Sequence, residues 1–246
     1  MKTYNIAAIP GDGIGTEVIA ASIQVLESLA RRDGGFALHF EHFDWGSNYY
    51  LKHGEMMPAD GLDRLKPFDA IYFGAVGSKE VPDHISLWGL RLNICQSFDQ
   101  YANVRPARVM PGIDSPLKLA SLDVMVATNL HADILSDLAA ALSGSLGIAP
   151  TANLNPPRKF PSMFEPIHGS ALDIAGRGIA NPIGTFWTAV MMLQHLGELS
   201  AAARLMGAIE HVTSSRVFTP DLGGRATTAK VTEALCKAID ASPGHA

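Results

Sequence analysis

Cysteine is nearly absent: the 246 residues contain two, Cys95 and Cys236, far apart in the chain. That excludes a disulfide-stapled scaffold and a cysteine-based zinc site. Charge is sparse and mixed, with 19 Lys plus Arg against 24 Asp plus Glu and no run of one sign. No nucleic-acid partner is expected from a net charge of −5. Long apolar runs are missing as well. The opening MKTYNIAAIPGDGIG is broken at Pro10 and Asp12, and the longest later run, residues 186–193, is too short to cross a bilayer. Neither a signal peptide nor a membrane partner is expected, and the chain reads as soluble and cytoplasmic. What it does have is apolar side chains, 47% of the total, enough at this length for a large core. General disorder is thereby excluded.

The order of elements reads as α/β. Residues 4–9 form a short apolar run ended by Pro10-Gly11-Asp12-Gly13, a buried strand followed by a turn. Thr16 and Glu17 open a helical pattern carried by Val18, Ile19, Ile23, Val25, Leu26 and Leu29. Strands are expected at 36–43 and 70–73, with a short helix at 60–65 between them. Alternating strands and helices imply a mostly parallel sheet flanked by helices. Two more strands are expected at 104–109 and 122–127, and a helix at 133–142 ending before Gly144. Asn181-Pro182 starts a helix that stops at Gly197, and helices at 200–212 and 228–239 close the pattern. The stretch 147–162 reads as an ordered loop.

Two glycine-rich segments invite a ligand. Gly11-Asp12-Gly13-Ile14-Gly15 sits between strand and helix, but the third glycine of a G-x-G-x-x-G fingerprint falls at Thr16. A tight turn accounts for it at least as well. The segment from Phe164 to Gly176, followed by Ala180-Asn181-Pro182, is richer. Its small residues let a ligand approach the backbone, and His168, Ser170, Asp173 and Asn181 suit a ribose or an adenine edge. A ligand loop is the better reading there. Asp133 and Asp137 share one helix face, where like charges repel unless a cation lies between them. A hard divalent metal explains both, and so, for the first of them, does the helix dipole. Arg105, beside Pro106, with Arg91 and Arg108 nearby, suggests a clamp for an anionic substrate; surface ion pairs are the plainer account.

Taken together, the segments 9–15, 69–77, 101–106, 128–137 and 168–181 resemble the isocitrate/isopropylmalate dehydrogenase family. The segments 82–89 and 98–101 resemble its tartrate and D-malate dehydrogenase branch. The resemblance implies metal-assisted oxidation of a small 2-hydroxy acid by NAD or NADP, with Mg²⁺ or Mn²⁺ polarising the oxygen at C2 and decarboxylation often following. By the same resemblance, Asp133 and Asp137 are metal ligands and Arg105 a carboxylate clamp. His168, Gly169, Ser170, Ala171, Asp173 and Asn181 hold the dinucleotide. Asp173 stands where NADP-dependent relatives place a lysine, which implies NAD.

The sequence departs from the family in two places. Cys95 takes the position of a family arginine, and Arg91, one helical turn earlier, is the candidate substitute. The larger departure lies between Leu117-Lys118 and Leu122-Asp123, where the segment bearing the family's catalytic tyrosine and lysine, a further metal aspartate and most of the dimer-forming domain is lacking. No residue is therefore assigned to catalysis itself. The expected architecture is a discontinuous nucleotide-binding α/β domain, residues 1–101 plus 144–246, with 102–143 a remnant of the substrate and dimerisation domain. The expected function is an impaired NAD-dependent dehydrogenase of a small hydroxy acid such as tartrate or D-malate. The alternative is a non-catalytic, NAD-binding or regulatory subunit. The family is homodimeric, but the part that makes the dimer is largely missing.

Overall fold

Residues 6–9 are wholly buried and alternate between two cores, Ile6 and Ala8 facing one, Ala7 and Ile9 the other. Burial on both faces is why this run is continuously apolar instead of alternating with polar residues. It is the centre of β1 (Lys2–Gly11). The computed structural model describes residues 1–114 and 125–242. Among them the further strands are β2 (Phe36–His42), β3 (Ala70–Ala75), β4 (Ala102–Val104), β5 (Pro150–Leu154) and β6 (Ser162–Pro166). They form one sheet in the order β2-β1-β3-β6-β5-β4. The first four in that order pair in parallel, and β6, β5 and β4 pair antiparallel. The sheet is thus mostly parallel, with an antiparallel margin.

The parallel half obeys the crossover rule that parallel neighbours need a long connection. α1 (Gly15–Asp33) carries the chain from β1 to β2 and ends in a left-handed Gly34, whose N–H caps the Ala30 carbonyl. α2 (Ser47–His53) and α3 (Gly61–Leu65) lead to β3 on the opposite face. That face is completed by α4 (Asp83–Ser86) and α5 (Leu92–Ser97), joined by a widened turn at Leu87–Arg91. There the Leu92 N–H reaches back five residues to the Leu87 carbonyl. α6 (Asn129–Ser143) precedes β5. α7 (Ile183–Leu196), α8 (Leu199–Ser214) and α9 (Thr228–Ala241) pack with α1 on the first face. Tyr72 of β3 is buried in this layer, where its hydroxyl donates to the Thr185 carbonyl and shares a hydrogen bond with the Ser22 hydroxyl, which can donate in turn, tying α1 to α7.

Three expectations need correction. The strand expected at 104–109 is instead Ala102–Val104, and Pro106, which has no N–H to give to a ladder, lies just beyond its end. The stretch 147–162, expected as a loop, contains β5 and the start of β6; antiparallel pairing between them supplies the order that its glycines and prolines concealed. The strand expected at 122–127 begins outside the described residues, and 125–127 carry no strand. α2 and the helical stretch from 83 to 97 were not anticipated.

Candidate functional site

The loops that follow β1, β3 and β6 meet at one end of the parallel strands, the end where open α/β sheets bind ligands. The first glycine loop serves packing. A Cβ on Gly13 would lie 2.0 Å from the Ser170 carbonyl oxygen, and the Ile14 N–H donates to that oxygen at 2.8 Å. Asp12, buried, accepts from the Ser47 N–H and hydroxyl at 2.8 and 2.7 Å and from the Gly77 N–H at 2.8 Å. This loop is the tight turn that the incomplete fingerprint suggested, locked against its neighbours.

The second loop, residues 167–182, is fastened at several points. The Gly176 N–H donates to the Glu17 carboxylate, the Thr228 N–H donates to the Gly178 carbonyl at 2.9 Å, and Ala171, Ile174 and Ala175 pack on Ile14, Val18 and Ala180. Ala171 holds a left-handed φ of 40°, a strained conformation for a residue with a Cβ. Within this frame, polar groups are left open. His168 has a buried Nε2 with no hydrogen-bond partner, while its Nδ1 lies 3.1 Å from the Gly169 carbonyl. Burial holds its imidazole below the usual histidine range, against the weaker pull of Asp221 and Glu165. Space beside Gly169 is open, and Asp173 is exposed with no partner among the described residues. Asn181 differs: it is buried, its amide donates to Asp221 at 2.8 Å, and its oxygen accepts from the Ile183 N–H at 3.0 Å. Its side chain sets the start of α7 and the position of Asp221, which also accepts from Ser145 and Thr219.

The acids and arginines gather on the antiparallel margin. Arg91 grips Glu165 with Nε at 2.8 and 2.9 Å from the two carboxylate oxygens and Nη2 at 2.5 Å from Oε1. Glu165 holds the guanidinium pKa above its usual value, with Asp133 a minor contributor. Cys95 faces the same pair; burial, then Glu165, pushes its thiol up to about 12. Arg105 pairs with Asp133 at 2.7 Å and donates to Ser136 at 2.7 Å. Asp137, one turn along α6, is exposed and has no partner among the described residues. Arg108 stands apart from this group, paired with Glu210 of α8. Sequence reasoning gave no role to Glu165, Asn153, Asp221 or Asp12. Glu165 lies inside the richer loop segment, three residues before a histidine, and that position was its signal in the sequence.

A divalent cation has hard oxygen donors in Asp133 and Asp137, but among the described residues no cluster of three or more His, Cys, Asp or Glu side chains surrounds them. The donors fit in kind and fall short in number. None of the described tyrosines or lysines hydrogen-bonds to Arg91, Arg105, Asp133 or His168. Tyr72 is sealed in the core and Tyr4 is bound to Glu198.

The isocitrate/isopropylmalate dehydrogenase family matches residues 5–122 and 115–238, nearly the whole sequence in two pieces. The chain belongs to this family. The two pieces overlap at residues 115–122. The "Probable tartrate dehydrogenase/decarboxylase TtuC′" of Agrobacterium vitis is 49% identical over 355 aligned residues, spanning 98% of this chain and 99% of that protein. The D-malate dehydrogenase [decarboxylating] of Escherichia coli (strain K12) is 38% identical over 359 residues, 97% and 99% of the two chains. Both alignments far exceed the 246 residues present, so each bridges a block of the relative that has no counterpart here. The fold agrees with that of Methylococcus capsulatus isocitrate dehydrogenase, TM-score 0.82 at 24% identity, covering 96% and 99% of the chains. A β-decarboxylating dehydrogenase from Thermococcus kodakarensis gives 0.76 at 25%, covering 96% of each. As a family member, the chain is of dehydrogenase type. Among the described residues, no helix is long and apolar enough to cross a membrane.

Proposed function

We propose that this chain binds NAD on the 167–182 loop and a small 2-hydroxy acid, such as tartrate or D-malate, beside it, with a divalent metal at Asp133 and Asp137. The observation that carries the reading is the orphaned, buried Nε2 of His168 beside open space at Gly169, on a loop tethered at both ends. A buried polar atom without a partner costs about 1–3 kcal/mol, and a ligand's hydrogen bond removes that cost. His168, kept neutral by burial, offers its ring to the dinucleotide, and the backbone from Gly169 to Ala171 lines the approach. The free carboxylate of Asp173 accepts from ribose hydroxyls and repels a 2′-phosphate, which favours NAD over NADP. Arg105, with Arg91, supplies the positive charge for the acid's carboxylates.

The His168 loop would hold NAD, which would supply the hydride acceptor, and Asp133 and Asp137 would hold Mg²⁺ or Mn²⁺, which would supply Lewis-acid polarisation of the hydroxy acid. The chain's own residues bind and orient; among the described residues, no positioned lysine or tyrosine moves the protons. Each missing proton-transfer group costs typically ~10²–10⁴-fold in rate. Residues 1–101 and 144–246 act as the nucleotide-binding part, and 102–143 as the remainder of the substrate part. Turnover is accordingly impaired, and the same lack of proton-transfer groups favours a second reading, a non-catalytic NAD-binding subunit. A steady-state assay with D-malate, tartrate and 3-isopropylmalate, in the presence of Mn²⁺ and NAD, separates them. Slow but measurable turnover supports the impaired enzyme, none with intact NAD binding supports the subunit, and a rate near ~10 s⁻¹ overturns impairment. Absence of NAD binding in calorimetry, with or without Mn²⁺, overturns both.

A further inference from the structure

Glu165 is the fourth residue of β6, three residues before His168. It is buried at 4% relative exposure. Besides Arg91, its Oε1 accepts from the Asn153 amide at 2.7 Å. Asn153 in turn accepts from the Asn103 amide at 2.7 Å, and Asn103 accepts from Arg105 Nε at 2.9 Å. Asn103 and Asn153 are register partners on β4 and β5, so the chain of bonds crosses the antiparallel margin strand by strand. Both candidate substrate arginines hang from one carboxylate, Arg91 directly and Arg105 through two amides.

The polarity of this chain is fixed at its ends. A carboxylate only accepts and a guanidinium only donates, so each asparagine must point its NH₂ toward Glu165 and its oxygen toward Arg105. Turning either amide over would set donor against donor and acceptor against acceptor. An anion that engages the arginines' remaining N–H groups therefore acts on a network with a single arrangement. Its near end is the strand from which the His168 loop departs.

We propose that Glu165 is a positioning residue that couples anion binding at Arg91 and Arg105 to dinucleotide binding on the His168 loop. The inference rests on the function proposed above and adds a linkage between its two sites. An anion held by both arginines fixes Glu165 and the end of β6, so the dinucleotide meets a loop whose ordering cost is already met. The linkage is reciprocal, so each ligand tightens the other by the same factor.

The test is calorimetric titration of NAD into the intact chain with Mn²⁺, with and without saturating D-malate, and separately tartrate. Either hydroxy acid should lower the wild-type NAD dissociation constant by about fivefold or more, the lower end of typical couplings. In Glu165→Gln that ratio should collapse toward one, because a glutamine both donates and accepts and no longer fixes the amide order. Asn103→Ala, at the exposed sheet edge, cuts the link to Arg105 without touching Glu165 and should reduce the ratio even if Glu165→Gln fails to fold. A purely structural role would weaken both bindings and leave their ratio intact. Independent binding in the wild type, or a full ratio in either folded variant, overturns the coupling while leaving the function reading standing. A wild-type chain that fails to bind NAD or both acids overturns the function reading, and the coupling with it.

Discussion

Arg105 places its Nη2 2.7 Å from Oδ1 of Asp133, so the guanidinium proposed for the substrate holds a carboxylate proposed for the metal. The Asp133 side chain is 59% exposed, and an ion pair so open to water is worth ~0–1 kcal/mol. A divalent cation can take Asp133 from the arginine at small cost and release the guanidinium fork. Metal and hydroxy acid should therefore bind cooperatively. Arg105→Lys, which keeps the charge and loses the fork, should weaken D-malate binding about tenfold with Mn²⁺ present, in line with ~1.5–3 kcal/mol for a hydrogen bond to a charged group. Without Mn²⁺, when the wild-type fork is engaged by Asp133, the difference should shrink. Calorimetry at both metal conditions checks this, and an equal loss in both would refute the competition.

Asp173 is exposed and has no partner among the described residues, so its charge acts on a ligand without first breaking a bond to any of them. Asp173→Asn should leave stability within ~0.5 kcal/mol, as for surface substitutions away from special features. It should narrow the preference for NAD over NADP by several-fold, since two charges a few ångströms apart in water interact by about 1 kcal/mol. Dissociation constants for both dinucleotides, measured on both proteins, give the ratio. An unchanged ratio would remove Asp173 from the ribose site.

The parallel half of the fold was legible because its residues carry one-dimensional signals. β1 and β3 are continuous apolar runs, α1 shows helical spacing, and Gly197 marks a helix end with a left-handed cap. The antiparallel margin was not legible, since its order comes from partners distant in sequence. β5 reads as loop until Asn153 meets Asn103 and Ala152 meets Phe164 across the ladders. The site divides in the same way. His168 and Asp173 stand in a recognisable segment; the structure gives His168 a buried Nε2 without a partner and leaves Asp173 exposed. Asn181, singled out as a ligand contact, has its amide engaged by Asp221 and the start of α7. Glu165 went without a role because its importance lies in a convergence of Arg91, Asn153 and Cys95 that spacing cannot express.

His195, in the last turn of α7, packs its ring 5.3 Å from Phe164, and burial followed by Arg158 lowers its pKa to about 4. The unfolded chain takes up that proton near pH 6.5, whereas the folded chain resists it until about pH 4. In that window the unfolded state holds more protons, so stability falls as pH falls and levels off below the folded pKa. The lowered pKa of His168 acts in the same direction. His195→Phe keeps an aromatic ring and removes the proton site, so Tm should decline less between pH 6.5 and 5 in the variant than in the wild type. Parallel Tm–pH profiles for the two proteins would refute this account of His195.

α6 exposes Ile134, Leu135 and Leu138, at 59%, 39% and 53% relative exposure, while among its described side chains Ala140 is the buried apolar one. Ile134 and Leu138 are four residues apart and share one helix face. The side chains of a surface helix bury such a stripe against the body of the protein, but here it is exposed, as are Met125 and Val126 just before the helix. Burying each of these side chains against another surface would contribute ~1.5–3 kcal/mol. The isolated chain should therefore self-associate in a concentration-dependent way. Ile134→Glu combined with Leu138→Lys places a favourable i,i+4 pair on the same face and removes the apolar stripe, so the helix itself should not suffer. Sedimentation velocity over a hundredfold range of concentration should show the wild type shifting to larger species and the double variant remaining a single small one. A wild type that stays monomeric throughout would show that this face is tolerated in water as it stands.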